Sequence, residues 1–325
     1  MLVMLKKIFF LSCCAFLNLQ LLGQTAIDNK SGLLFSAIRA GNLKELQHAI
    51  TNGANANDSL NGYSALMAAT LAGTVDQMEL LIRNGADVNY QCSDGTTALW
   101  VAVPDLDKTK LLLDNKADVN HKVQGYGILV KLATIPGSFH LFQLLISRGA
   151  DLKKSAPDNY LLYNAAMSGD TTVLGFLIRN GFNVNDTVSY GDYPINAALN
   201  FKSFSTLKML VDNGANVNVR QWITQGLDAF LGFTPLMMAA LLHDKPSFMY
   251  LLAHGANVNA KNKHGETPLM LLAQSETDDP EMTLTLIKHG AKVSEKANDG
   301  TDALYYAREK GNTPTVAILE KYQGQ

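Results

Sequence analysis

The chain has 325 residues, with 27 Lys plus Arg against 29 Asp plus Glu, and 47% of its residues are apolar. A formal charge of −2 argues against a nucleic-acid binder that lives on phosphate contacts, and three cysteines cannot build a disulfide-dense scaffold. The apolar share excludes wholesale disorder, and the length suggests about two ordinary domains unless internal repeats replace them.

Residues 1–23 read as a secretory signal peptide. Lys6 and Lys7 precede residues 8–22, which are mostly apolar and uncharged, and cleavage is expected near Gly23-Gln24. The run is shorter than the roughly 20 apolar residues of a spanning helix, although an uncleaved anchor is the alternative. Phe10-Leu11-Ser12-Cys13 also loosely resembles a bacterial lipobox, which leaves Cys13 or Cys14 as an alternative lipidation site. Cleavage would leave 25 basic against 29 acidic residues, a net charge of −4, and one cysteine, Cys92. An exported chain with one thiol has no internal disulfide, so packing must stabilise it.

From about residue 31 one motif returns along the chain: Asn52-Gly53-Ala54-Asn55-Ala56-Asn57, Asn84-Gly85-Ala86-Asp87-Val88-Asn89, Asn115-Lys116-Ala117-Asp118-Val119-Asn120, Arg148-Gly149-Ala150-Asp151, Asn180-Gly181-Phe182-Asn183-Val184-Asn185, Asn213-Gly214-Ala215-Asn216-Val217-Asn218, His254-Gly255-Ala256-Asn257-Val258-Asn259 and His289-Gly290-Ala291-Lys292. Positions 53, 85, 116, 149, 181, 214, 255 and 290 are spaced by 32, 31, 33, 32, 33, 41 and 35 residues. Each motif follows a leucine-rich stretch with the spacing of one buried helix face, and its glycine stands where a helix ends in a left-handed residue. About twenty residues upstream a shorter helix begins, most clearly at Thr234-Pro235, Thr267-Pro268 and Tyr193-Pro194, where proline suits the first helical position. The unit is helix, tight turn, helix, extended loop.

This pattern resembles the ankyrin repeat, whose consensus places Thr-Pro-Leu-His-x-Ala-Ala on the first helix and Gly-Ala-Asp-x-Asn after the second. The resemblance covers about residues 31–322. It implies an all-α ankyrin-repeat solenoid of helix-turn-helix units with projecting hairpin-like loops, a concave face and a role in binding proteins. Nine units are expected, near 31–60, 61–93, 94–123, 124–156, 157–189, 190–219, 231–263, 264–297 and 298–325, within a single domain over 31–325 that carries an insertion at 220–230. The first and ninth units read as end caps, which turn a polar face to water.

Departures from the consensus matter as much as matches. The consensus His is replaced by Phe35, Met67, Trp100, Lys131, Tyr163, Asn196, Met237, Met270 and Tyr305, so its hydrogen-bond network should be weakened or replaced by apolar contact. The alternative is a Met and aromatic binding stripe. Lys116 takes the place of the turn glycine, where a left-handed side chain costs roughly 1–2 kcal/mol. The 41-residue interval places about eight extra residues within 219–233, among them Trp222, Phe230 and Phe233, which either contact a partner or fold back onto the stack.

The resemblance further implies that loop residues before each first helix face the partner: Tyr63, Asp94, Thr96, Tyr126, Asp158, Tyr190, Asp192, His264, Glu266, Asp299 and Thr301, joined by Leu71, Met167, Phe201 and Leu242 late in the helices. With Trp222, Phe230 and Phe233 these are the candidate partner-binding residues.

Catalytic, cofactor and metal sites are expected to be none. No phosphate loop, Gly-x-Ser-x-Gly elbow or His-Glu-x-x-His pair occurs. His254 and His289 suit helix ends better than a metal pair, and Asp279-Pro280-Glu281 suits a helix start better than a calcium site. Cys92 reads as a spectator, or else as a link to a partner or a second copy. Asn57-Asp58-Ser59 and Asn185-Asp186-Thr187 fit the N-glycosylation triplet. The reading that results is an exported, monomeric, non-enzymatic scaffold in the bacterial periplasm or outside the cell, with an unknown protein partner, no nucleic acid and no membrane span after cleavage. A self-associating envelope component, or a ligand-binding protein or enzyme using 219–233 as a pocket, is the alternative.

Overall fold

A computed structural model describes residues 29–156, 158–189, 191–221 and 232–323. The expected signal peptide lies outside the described residues. Two compact units divide the chain, one up to Ala156 and one from Pro157.

In the first unit the helices are α1 (Asn29–Arg39), α2 (Leu43–Thr51), α3 (Ala65–Ala72), α4 (Val75–Arg83), α5 (Ala98–Ala102), α6 (Leu106–Asp114), α7 (Ile128–Ala133) and α8 (Phe139–Ser147). Two hairpins interrupt them, β1 (Ser59–Leu60) with β2 (Tyr63–Ser64) and β3 (Lys122–Val123) with β4 (Tyr126–Gly127), both antiparallel. The second unit holds α9 (Tyr160–Ser168), α10 (Thr171–Arg179), α11 (Pro194–Asn200), α12 (Phe204–Asp212), α13 (Pro235–Leu241), α14 (Lys245–Ala253), α15 (Pro268–Ala273), α16 (Pro280–Lys288), α17 (Ala303–Lys310) and α18 (Thr313–Tyr322). The expected all-α architecture is the observed one, and α11, α13 and α15 each begin at the proline that marked them.

First helices lie between neighbours and are buried nearly all round: Ala65 to Thr70 of α3 and Pro235 to Ala240 of α13 are buried without a break. The paired alanines allow this, since Ala68-Ala69, Ala165-Ala166, Ala197-Ala198 and Ala239-Ala240 are all at most 4% exposed. Second helices bury one stripe, such as Met78 and Leu81 on α4, and leave the other face to water.

The turn motif has a definite job. Its third polar residue, an Asn, reaches the next motif with both amide atoms. Asn89 Nδ2 donates to Lys116 O at 3.1 Å while Oδ1 accepts from Asp118 N at 2.8 Å. Asn57 and Asn120 repeat the rung in the first unit, and Asn185, Asn218 and Asn259 in the second. An amide is suited to this because it donates and accepts at once. Lys153 stands at the same place in its motif; it keeps the turn bond from its backbone N–H to Asp151, but an ammonium cannot accept a hydrogen bond. The acceptor nitrogens of both glycosylation triplets, on Asn57 and Asn185, are donors of these rungs.

Lys116 adopts φ +66°, in line with the seven turn glycines, and its N–H still reaches Leu113 O at 3.1 Å. His254 and His289 end their helices by placing Nδ1 at 2.8 Å from the carbonyls of Tyr250 and Thr285, as Asn84, Asn115, Asn180 and Asn213 do with their amides.

Candidate partner-binding loops

Apart from the one before α9, where Asp158 has a φ of +53°, the loops before the first helices come in two forms. In the hairpins, Asn61-Gly62 and Gln124-Gly125 both have positive φ, the two-residue turn that matches strand twist. The other form is a tight tip closed by two backbone bonds. Cys92 N–H donates to Thr96 O and Gly95 N–H to Cys92 O, and the same pair closes 188–192, 262–266 and 297–301. An acid or amide in the tip organises it further: Asp94 Oδ1 accepts from Thr96 N, Asn262 Oδ1 from His264 N and Glu266 N, and Asp299 Oδ1 from Thr301 N.

The long interval preserves this stem. Gln221 N–H donates to Phe233 O at 2.9 Å and Gly232 N–H to Gln221 O at 2.8 Å. In an ordinary tip two residues stand between the first residue and the glycine; here residues 222–231 do. The extra length therefore falls between Gln221 and Gly232, a narrower place than 219–233, and the closing bonds on either side are those of an ordinary tip. Tyr190, Trp222 and Phe230 lie outside the described residues.

Of the expected contact residues, Asp94, Asp158, His264 and Asp299 are exposed, and Tyr63, Tyr126, Glu266 and Thr301 are partly exposed. Phe201 is exposed, and Leu71, Met167 and Leu242 partly so. Thr96, Asp192 and Phe233 are corrections. They are 8%, 1% and 3% exposed, so none faces a partner; Asp192 is held inward by Tyr163 and Asn196, whereas Glu266 and Thr301, at the same place in their tips, stay partly exposed. Glu266 is held by Asn262 Nδ2 at 2.7 Å and Gln274 Nε2 at 2.6 Å.

The consensus-His positions divide. Phe35, Met67, Met237 and Met270 are at most 3% exposed, so the methionines are seam and not a surface stripe. On α13 and α15 the Met Sδ also accepts from Thr234 N and Thr267 N, closing the capping box that Glu or Gln would otherwise close. Elsewhere polarity returns, contrary to the expected weakening. Tyr163 Oη donates to Asp192 Oδ2 at 2.9 Å, Asn196 Nδ2 to Asp192 Oδ1 at 2.8 Å, and Tyr193 N to the same oxygen at 2.9 Å. Burial pushes the Asp192 carboxyl up, and these three donors pull it back only in part. Lys131 donates to Trp100 O at 2.6 Å and lies 5.6 Å from the centre of the Trp100 ring; burial lowers its amine to about 8. Sequence reasoning marked Asp192 as a contact and Lys131 only as a consensus departure; an ionisable residue in an otherwise apolar helix was the signal for Lys131, while Asp192, in a loop tip, carried no such signal.

Elsewhere the ionisable groups serve the fold. Asp279 caps α16 by accepting from Met282 N at 3.0 Å, Asp278 accepts from Thr315 Oγ1 at 2.5 Å, and Glu276 pairs with Lys310 at 2.5 Å. Among the described residues no group of three or more His, Cys, Asp or Glu is placed to hold a metal, and no helix is long and apolar enough to cross a membrane. Cys92 Sγ donates to Asp94 Oδ1 at 2.6 Å; burial and then this bond push its thiol up, away from the reactive thiolate.

The profile described as ankyrin repeats (3 copies) matches residues 34–123, 130–221, 219–297 and 236–324. Similar proteins include a Danio rerio protein named for palmitoyltransferase activity, 28% identical over 191 residues, 58% of this chain and 28% of that protein. An ankyrin repeat protein of fowlpox virus is 27% identical over 169 residues, 50% of this chain and 47% of the relative. The human ankyrin repeat and SOCS box protein 6 is 32% identical over 146 residues, 43% of this chain and 33% of the relative. In each case the match spans less than half of the relative.

Proposed function

Because the chain belongs to the ankyrin-repeat family, we propose that it is a non-enzymatic scaffold of nine repeat units that binds a partner protein, exported to the bacterial periplasm or beyond the cell. Ankyrin repeats generally mediate protein–protein interaction. The observation that carries the proposal to these loops is the combination of one backbone frame with changing side chains. Tips closed by the same two hydrogen bonds present Asp94, His264 with Glu266, and Asp299 in turn, and the hairpins present Tyr63 and Tyr126. A frame set by main-chain bonds is ordered before binding, so little entropy is lost on contact, and tyrosine is over-represented in recognition surfaces. The tip insertion adds Trp222 and Phe230 to this set. Export rests on Lys6, Lys7 and the apolar run of residues 8–22. The scaffold acts as a monomer.

The test is affinity capture from the native envelope fraction, with wild type compared against the Trp222→Ala, Phe230→Ala double variant. The expected result is a protein retained by wild type and lost or strongly reduced with the double variant. Equal recovery by both baits would remove the insertion from the binding surface, and recovery of no protein by wild type would remove the scaffold reading.

A further inference from the structure

Lys131 stands where a lysine burdens its own fold. It lies in the middle of α7, between Val130 and Leu132, which are 4% and 0% exposed. Burial alone accounts for its lowered amine; no neighbouring charge contributes. The surroundings agree with this. Helix α5, whose Trp100 carbonyl accepts from Nζ, and α8 and β4, which pack against α7, carry no acidic residue, and their titratable side chains are His140 on α8 and Tyr126 on β4. Among the described residues no carboxylate forms an ion pair with Lys131.

An ammonium has three N–H donors, and Trp100 O takes one. Lys131 and Trp100 are both partly exposed, so the pair is reachable from outside. We propose that Lys131 and the Trp100 ring together anchor an Asp or Glu side chain of the bound protein partner. This rests on the scaffold reading above and names the chemistry that one of its surfaces takes. A half-desolvated ammonium without a counter-ion gains more from an arriving carboxylate than a solvated surface lysine does, because water screens it poorly. The ring beside it offers apolar contact to the methylene groups that carry the carboxylate, and it keeps the ammonium in place through its π face. A methionine, as at positions 67, 237 and 270, would fill the same site without the electrostatic cost.

The experiment uses the full chain with Trp222→Phe, so that Trp100 is the one remaining indole. Acetyl-tetraglutamate-amide is titrated at low ionic strength against acetyl-tetraglutamine-amide, with Trp100 fluorescence as the signal and the ε-methylene resonance of Lys131 followed by NMR as a function of pH. Saturable binding of the glutamate peptide alone is expected, together with an upward move of the Lys131 titration when the peptide is bound. Lys131→Met should weaken binding at least ~10-fold, the scale of losing one partner of a desolvated charge pair, whereas Lys131→Arg should keep most of it. Unchanged binding by a folded Lys131→Met chain, equal binding of both peptides, or a Lys131 titration indifferent to the peptide would each overturn the proposal. If wild type and Lys131→Met retrieve the same envelope protein equally, the scaffold stands and the anchor falls; if the glutamate peptide binds at Lys131 yet no protein is retrieved, the carboxylate site stands and the scaffold falls.

Discussion

Lys116 and Lys131 are two lysines that the fold would not choose, for different reasons. Lys116 carries a side chain at φ +66° where seven equivalent positions carry glycine. Lys116→Gly relieves that strain but lets the unfolded chain roam more, so the expected net gain is about 0.5–1 kcal/mol, read as a higher melting temperature. A lower one would mean that the side chain stabilises more than the backbone loses. Lys131 is a matter of hydration. Its amine falls from 10.5 to about 8, so between those values the folded chain holds fewer protons than the unfolded chain and stability rises with pH. Denaturant titrations of wild type should therefore show rising stability from pH 8 to beyond pH 10. Lys131→Met should abolish that slope and be about 1–3 kcal/mol more stable at neutral pH. Lys116 was legible from its place in the motif, since the turn geometry is local. The environment of Lys131 was not, because a carbonyl and a ring of α5, from the preceding repeat, help create it.

Among the elements, the tips and the polar knot around Asp192 show how the loops are held. Asp192 gathers donors from α9, from α11 and from the backbone of Tyr193, the N-cap of α11, into a site 1% exposed. Removing the carboxylate in Asp192→Ala strands the Tyr163 hydroxyl and the Asn196 amide, at an expected cost of about 2–3 kcal/mol, while Asp192→Asn, which still accepts, should cost about 1 or less. The pH dependence has a definite sign. A carboxyl raised above its ordinary 3.8 binds its proton more tightly in the fold, so its stabilising contribution is complete below 3.8 and is lost as pH rises through the raised value. Urea melts across the acidic range should show wild type gaining on Asp192→Asn as pH falls; a gap that does not change with pH would place the carboxyl at its ordinary value. The loop position of Asp192 pointed to a partner. Only the packing of α9 against α11 turns the residue inward.

At the scale of the whole chain, the intact stem at Gln221, Gly232 and Phe233 predicts that residues 222–231 can be replaced by the two-residue Ser93-Asp94 tip with stability changed by about 1 kcal/mol or less, while partner capture is lost. A loss of several kcal/mol would show that the inserted aromatics pack on the repeats. Much of the architecture was legible because repeated local rules write it. The 31-to-35-residue period, prolines at first helical turns, glycines in left-handed turns and Asn at the rung position each act over a few residues or between neighbouring motifs, so the motif and its spacing carry the resemblance to the ankyrin repeat, and with it the fold, before any long-range contact is considered. What the tertiary structure alone decided is which polar groups lose water. It put Thr96, Asp192 and Phe233 inside, made the methionines a seam, and left Lys131 with a ring and a carbonyl where an opposite charge would otherwise stand. Burial and field at a residue are sums over neighbours supplied by other units, and no local pattern in the sequence carries those sums.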